Sequence, residues 1–515
     1  MQGKKQYAEK LFTNFQLSER VPKDNFYRKL KETLDLEFLY KETKKYYGNE
    51  GQQSIDPVVF FKLILVGYLE NQNSDRKIIN HVSMRMDILY FIDYDIDDEL
   101  PWHSTLSRTR GLYGEEIFRK LFKKVLSLCV SKKMVGGKRQ AIDSAYIKAN
   151  ASLDSLVEKE IMDDVDDFTN ELNNNDESQK TITTKKKKEV DSHHKWKEKE
   201  YKGQPGDKQK KAGEIDEFGN IIRPKFLSNH THFSKTDPDA RISVKPGKPR
   251  QMNYSAQTSV DTKSHVITNI LADYSDKRDS QSLKQVVEQT RENLIENNLQ
   301  LEEILADTGY SSGRALKFLK ENNITGYIPN FGQYINTREG FIYDKEQDEY
   351  TCSQGKKLTF KKIQTTKNKE AREYRSSRLD CKDCELRSVC IGTSFEKKIT
   401  DSIHKPLYDE MHERLKTEKA KRLKKQRSST VEPVLGTLIN FMGMRRIWTR
   451  GIRNANKFML GAAIAYNIKK YMNYTNKTAK TKIEAMSREL VNKKQGVINT
   501  FLRLINMCFY KIHFS

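Results

Sequence analysis

Residues 138–150 read KRQAIDSAYIKAN. Up to residue 130 the chain keeps a helical rhythm, and this stretch breaks it. Ala141, Ile142, Ala145, Tyr146 and Ile147 read as a buried strand with one acid, Asp143, inside it. A lone carboxylate among apolar side chains is costly, so Asp143 requires a partner. Towards the C-terminus, order returns at Tyr254. The stretch YSAQTSVDTKSHVITNILADY alternates and is rich in β-branched residues. It predicts antiparallel strands at Ser255–Val260 and His265–Ala272, joined by a turn at Asp261–Ser264.

Asp279–Asn298 reads as a helix with Leu283, Val286, Val287 and Leu294 on one side. Glu303–Ala306 is a short apolar strand that ends in Asp307. A helix from about 312 to 321 follows, then a strand at Ile324–Ile328. The order from 141 is strand, long insertion, strand, strand, helix, strand, helix, strand. This predicts an α/β fold of the ribonuclease-H-like kind, with a mixed sheet whose parallel part needs helical crossovers. The strand before Asp307 would then neighbour the strand of Asp143. Two acids that close repel and call for a cation, and hard oxygen donors suit Mg²⁺ or Mn²⁺. Two unrelated strand-end acids are the other reading.

A third acid is sought in SSTVEPVLG, residues 428–436. Ser429 or Thr430 can cap a helix, and Pro433 suits a first turn. Glu432 would sit near that helix start, with Val434, Leu435, Leu438, Ile439 and Met442 as the apolar side. On its own, such a Glu also fits simple complementation of the helix dipole.

The chain has 515 residues, which implies several domains. Lys and Arg total 93 against 70 Asp and Glu, a net charge of +23. That excess points to a polyanionic partner, nucleic acid or an anionic membrane surface. The most apolar window, Val58–Leu69, is one helix long and broken by Lys62, well short of the roughly 20 apolar residues of a membrane span. The opening MQGKKQYAEK has no apolar signal core, and six Cys do not make a disulfide framework, so a reducing cytoplasm is expected.

Phe26, Leu30, Leu34 and Phe38 have helical spacing, and residues 54–130 read as wholly helical. Ser54 and Asp56 can cap a helix that Pro57 opens, with Val58, Leu63, Leu65, Val66 and Leu69 as its apolar face. The following HSTLSRTR, residues 103–110, places Arg108 and Arg110 at a helix end. This region is either a helix-turn-helix-like module or an ordinary helical bundle. Residues 151–240 are acidic from Glu158 to Glu177 and then Lys-rich, and read as a charged surface insertion.

Cys381, Cys384 and Cys390, with Cys352 upstream, give four thiols. A CxxC pair lets two sulfurs reach one tetrahedral metal, and Zn²⁺ is the usual occupant of a closed four-cysteine site. Free thiols and a redox role are the alternatives. Cys129 and Cys508 lie in apolar helical runs and read as core. Trp196, Tyr201 and Trp448 lie among basic residues, where they either stack on unpaired bases or, for Trp448, pack in a C-terminal helical bundle.

Taken together, these segments resemble the DDE transposases of bacterial insertion sequences. SIDPVVFFKLILVGYL with HSTLSRTR is similar to their helical N-terminal region. AIDSAYIKANAS resembles the first-aspartate strand, DPDARISVKPGKPRQMNYSAQTSVDTKSHVI the lead into the next strands, and ILADTGYSSG the second-aspartate motif. RSSTVEPVLGTLINFMGMRRIWTRGIRNANKFMLGAAIAYNIKKY resembles the glutamate block. The resemblance implies a catalytic, Mg²⁺- or Mn²⁺-binding triad of Asp143, Asp307 and Glu432. Many relatives place Tyr and Arg seven and four residues before the Glu and Lys seven after it, where this chain has Lys425, Ser428 and Ile439. Arg427, Arg445, Arg446 and Arg450 are candidate substitutes, because Arg grips phosphate in a bidentate fork; a solvated basic face is the alternative.

The implied organisation is a helical DNA-binding domain over 1–130 and a catalytic core over 138–150 and 241–330. A charged insertion spans 151–240, a Cys-rich insertion with a possible structural Zn²⁺ spans 331–425, the glutamate block 426–472, and a basic tail 473–515. The implied partners are double-stranded DNA, as terminal inverted repeats and target, and further copies of the chain in a dimer or higher oligomer. No membrane partner is expected, and the location is a bacterial cytoplasm, on the nucleoid. An inactive, transposase-derived DNA-binding protein is the rival reading.

Overall fold

The computed structural model describes residues 15–48, 50, 54–72, 74–162, 181–183, 228–244, 249–332, 337–366, 369–476 and 478. Most of the charged stretch 163–227, with Trp196 and Tyr201, and the tail with Cys508 lie outside the described residues.

The N-terminal region is helical. The elements used below are α1 (Pro57–Leu69), α2 (Asp75–Val82), α3 (His103–Leu112) and α4 (Glu115–Ser131). Asp56 caps α1 by accepting from the N–H groups of Val58 (2.7 Å) and Val59 (3.1 Å), with Pro57 in the first turn. The single apolar face expected for α1 is not what forms. The helix is buried almost all round, including Lys62, whose ammonium pairs with Asp93. A helix this apolar has no face to give to water, so its one charge must find a counter-charge inside.

The chain then enters a six-stranded mixed sheet. Its strands are β1 (Arg139–Lys148), β2 (Arg241–Ser243), β3 (Gln251–Asp261), β4 (Ile267–Tyr274), β5 (Glu303–Leu305) and β6 (Thr325–Tyr327). The order is β6-β5-β1-β3-β2, with β4 also paired to β3. β1 runs antiparallel to β3 and parallel to β5, and β5 runs parallel to β6. The parallel connections carry the helical crossovers α5 (Asp279–Ile295) and α6 (Gly313–Glu321). β2 has no counterpart among the expected strands, being only three residues on the edge of β3.

Side chains alternate across the sheet, and each face has its own core. Ile142 and Leu271 pack with Leu283, Val286 and Val287 of α5 and Leu319 of α6. Ala141, Ala145, Tyr254 and Ala256 belong to the larger core, which runs from Leu17 to Met472 and takes in the N-terminal helices. A second, five-stranded antiparallel sheet follows, β7 (Phe341–Asp344), β8 (Glu349–Cys352), β9 (Lys357–Thr366), β10 (Lys369–Ser376) and β11 (Lys398–Ser402), in sequential order. Tyr350, Leu358, Tyr374 and Ile399 form its small core.

Helices α7 (Lys405–Lys416) and α8 (Glu418–Phe441) return the chain to the first sheet, where α8 packs across β1 and β3. The expected start of this helix near Ser429 is corrected. Thr417 is the cap, accepting from the Ala420 N–H, and Pro433 sits inside the helix. An internal Pro removes one backbone hydrogen bond and costs about 3 kcal/mol. The buried stripe Ala420, Leu423, Val431, Val434, Leu435 and Leu438 runs through it unbroken and offsets that cost. The last described helix, α9, spans 452–476 and joins the N-terminal helices to the core: Tyr68 packs edge-on against Phe458, with ring centroids 5.3 Å apart.

Candidate active site

Asp143 lies mid-strand on the β1 face that α8 covers, opposite Thr258. The parallel register Arg139↔Glu303 to Ala141↔Leu305, continued by two residues, sets Asp307 beside Asp143. Asp307 caps a short 3-10 turn, its Oδ1 accepting from the Gly309 N–H at 2.9 Å. Below it, Tyr310 donates to Gln257 Oε1 (2.5 Å), and Gln257 Nε2 donates to Asp279 Oδ1 (2.9 Å) and Ser255 Oγ (3.0 Å). Tyr310, Gln257 and Ser255 are buried, so this network holds the turn that carries Asp307.

Glu432 arrives on α8. That helix is fixed over the strands by Glu303, which accepts from Lys419 (2.7 Å) and Arg139 (2.5 Å), while Arg139 also donates to Gln426 (3.2 Å). One side chain joins the acids. Arg427 donates from Nη1 to Asp143 Oδ2 at 2.9 Å and from Nη2 to Glu432 Oε1 at 3.1 Å. Its side chain is only 14% exposed, so Arg427 is no solvated basic face.

Burial pushes the Asp143 carboxyl up, and the neighbouring Asp307 charge adds to this. The Ser144 N–H and the Arg427 guanidinium pull the other way. Among the described residues, no three His, Cys, Asp or Glu side chains stand close enough to share a metal ion. Arg427 stands between Asp143 and Glu432 and takes one oxygen of each.

The remaining arginines divide. Arg110 spends both terminal nitrogens on Asp75, at 2.6 and 3.0 Å, and is a structural fork. Arg446 donates to Asn150 Oδ1 (2.9 Å) and lies 4.7 Å from the Trp448 ring centroid. Trp448 is therefore not in a helical bundle; it stands half-exposed on the loop between α8 and α9. Arg108, Arg445 and Arg450 are exposed.

Cys352, Cys381, Cys384 and Cys390 all line one small cavity of about 30 Å³, together with Lys356, Arg387 and Lys397. All four are free thiols, and Cys129 is buried in α4.

Sequence reasoning passed over Gln257, Tyr310 and Asp279. The signal was Asn253, Ser255, Gln257 and Ser259, polar at every second position with Tyr254, Ala256 and Val260 on the alternate ones, which marks a polar network on one face.

Two family profiles match the chain. One, described as a transposase domain, covers residues 15–112. The other, described as a transposase DDE domain, covers 351–472 and contains Glu432, Arg427 and the four cysteines. Asp143 and Asp307 fall between the two matches. No curated protein matches the chain.

Proposed function

The chain belongs to the DDE transposases of insertion sequences, and on that premise we propose that it cuts DNA at the element ends and joins the freed 3′-hydroxyls to target DNA. The sheet of β1 to β6 is read as the ribonuclease-H-like core, and Asp143, Asp307 and Glu432 as the catalytic acids. One observation carries this reading: acids from two adjacent parallel strands and a crossing helix converge, and two of them already share one positive charge. Hard carboxylate oxygens suit Mg²⁺ or Mn²⁺, but as they stand the three acids are not close enough to share an ion, and Arg427 would have to withdraw before they could hold one. Such an ion, when bound, activates the attacking oxygen and stabilises the leaving one.

The protein's own groups do the positioning. The Gln257–Tyr310 network keeps the Asp307 turn in place, and Glu303 keeps α8 over β1. A DNA phosphate, which can take both Nη groups in one bidentate fork, would compete with Asp143 and Glu432 for the Arg427 guanidinium. Asp143 and Glu432, freed in that way, would be the residues to hold the ion beside Asp307. Exposed arginines, Arg108, Arg445 and Arg450 among them, supply sequence-independent phosphate contacts that weaken with salt. The element ends are brought together by a dimer or higher oligomer.

The four-cysteine cavity is read as a structural Zn²⁺ site. Its volume is that of about one water molecule, room for a single ion, although no three of the thiols stand close enough to share one until the side chains close in. The described residues contain no helix long and apolar enough to cross a membrane.

The rival, an inactive DNA-binding relative, draws on the same Arg427 contacts, which would hold the acids permanently paired. One experiment separates the two. The purified chain is incubated with labelled duplex carrying the element's own terminus, with Mg²⁺ or with EDTA, beside Asp143→Asn, Asp307→Asn and Glu432→Gln. Metal-dependent nicking at the end, lost in all three variants, is expected. Binding without nicking in any divalent metal would leave the rival standing.

A further inference from the structure

An open groove of about 850 Å³ lies between the N-terminal helices and the loop that precedes α9. Arg76, His103 and Ser107 line one side, and Asn150, Thr449 and Arg450 the other. Asp75 is the one acid among the lining residues, and the Arg110 fork neutralises it. Arg76 and Arg450 are exposed and have no carboxylate partner among the described residues. Arg76 instead donates from Nη2 to His103 Nε2 at 3.4 Å. The Thr449 hydroxyl is buried without a hydrogen-bond partner among the described residues. Cationic forks, an unspent hydroxyl and no free acid are the chemistry of a phosphodiester backbone.

The groove has a fixed place relative to Asp143. Arg446 bridges Lys148 in parallel, the Ile447 N–H donates to the Lys148 carbonyl (2.8 Å), and Asn150 Nδ2 donates to the Trp448 carbonyl (2.9 Å). The loop is thus bound to the far end of β1, five to seven residues beyond Asp143. At about 3.3 Å per residue, that is roughly 17–23 Å. Duplex DNA rises about 3.4 Å per base pair, so the same span covers about five to seven base pairs.

We propose that this groove seats the sugar–phosphate backbone of duplex DNA about five to seven base pairs from the phosphate held at Asp143. The proposal rests on the transposase reading of the acids and adds to it the path of the DNA.

The test is a hydroxyl-radical footprint of the full chain on a duplex spanning the element's own terminus, in EDTA so that nothing is cut. Alongside it, affinity is measured across a salt series. The wild type is expected to protect backbone five to seven base pairs from the junction phosphate. Arg76→Gln/Arg450→Gln should lose that protection and keep the one at the junction. It should bind at least about tenfold more weakly, and its log-affinity slope against log salt should fall by about two, one for each lost phosphate contact. Arg450→Gln alone, which removes one exposed charge, should lower the slope by about one. Melting curves establish that each variant is folded. A double variant with the wild-type slope and footprint would overturn the groove assignment and leave the transposase reading intact. A wild type that binds no terminal duplex would overturn both.

Discussion

Arg427 Nη1 lies 2.9 Å from Asp143 Oδ2, although 284 positions separate the two residues. The second arm of the same guanidinium reaches Glu432, so one cation holds two acids from different elements. A divalent ion using those same two oxygens must displace it. Arg427→Gln removes the competing charge and leaves a shorter, neutral amide. An opposite charge at this distance changes the free energy of a carboxylate by the equivalent of one to three pKa units. Without DNA, the variant is therefore expected to bind Mn²⁺ at least about tenfold more tightly, read by the loss of free-ion paramagnetic resonance signal. End cleavage should nevertheless fall by about 10²-fold, since the guanidinium no longer meets the phosphate. Mn²⁺ affinity at or below that of the wild type would show that Arg427 does not compete for the site.

Gly309 gives a second test. A Cβ built there would stand 3.0 Å from Asp279 Oδ2 and 3.1 Å from Asp307 Oδ1. Both carboxylates are held in networks, so neither yields freely. Gly309→Ala should shift Asp307 by a few tenths of an ångström from its position beside Asp143 and lower metal-dependent cleavage by about tenfold, less than the roughly 10²-fold that goes with a full ångström. The turn is local, so the melting temperature should move little. Full cleavage in a folded Gly309→Ala protein would mean that the turn adapts and does not fix Asp307.

The strands were legible because their signal is local. The period-two pattern at 254–274 and the short runs before Asp307 and at Ile324–Ile328 need no knowledge of the rest of the chain. The same locality misplaced the start of α8. Pro433 fits a first helical turn by its own chemistry, but the stripe from Ala420 to Leu438 is buried against a sheet that only the folded chain supplies. Arg427 was visible as a cation and not as a partner of Asp143, because nothing in its neighbourhood encodes a contact 284 residues away. The CxxC pair announced itself, while the nearness of Cys352 depends on β8 pairing beside β9.

The cysteines can be sorted chemically. Burial pushes the Cys129 thiol up to about 12, which leaves almost no thiolate at neutral pH. Iodoacetamide should therefore spare Cys129 in the folded protein whatever the metal content. Cys352, Cys381, Cys384 and Cys390 should be protected in the protein as purified and label after chelation. Native mass spectrometry should find one zinc per chain, absent from Cys381→Ser/Cys384→Ser. Immediate labelling of the four thiols, with no bound zinc, would assign them as free cysteines.

Asp237 links stability to pH, and the sign can be worked out. Its Oδ1 accepts from the Tyr254 hydroxyl (2.6 Å) and the Gly451 N–H (3.0 Å), while Oδ2 has no partner among the described residues. Gly451 holds φ at +81°, a conformation that favours glycine, and Asp239 caps the next N–H, that of Ile452, at 2.9 Å. The two acids thus set the start of α9 and the loop carrying Arg450. Burial raises the Asp237 carboxyl above its ordinary 3.8, the Asp239 charge adds to this, and the hydrogen bonds from Tyr254 and from the Gly451 and Asp239 backbone only partly oppose it. A raised folded-state value means that the folded chain holds the proton more tightly than the unfolded one. This contribution to stability is complete below 3.8 and is lost as pH rises through the raised value. Asp237→Asn carries no titrating proton. Its carbonyl can keep both accepted bonds, and its amide places a neutral group where the unpaired oxygen was. The difference in melting temperature between variant and wild type should therefore grow in the variant's favour as pH rises from 4 towards 7, reaching about 1–3 °C. A constant difference across that range would mean that Asp237 does not titrate there. A variant that loses ground with rising pH would mean that the charge itself holds the Gly451 turn.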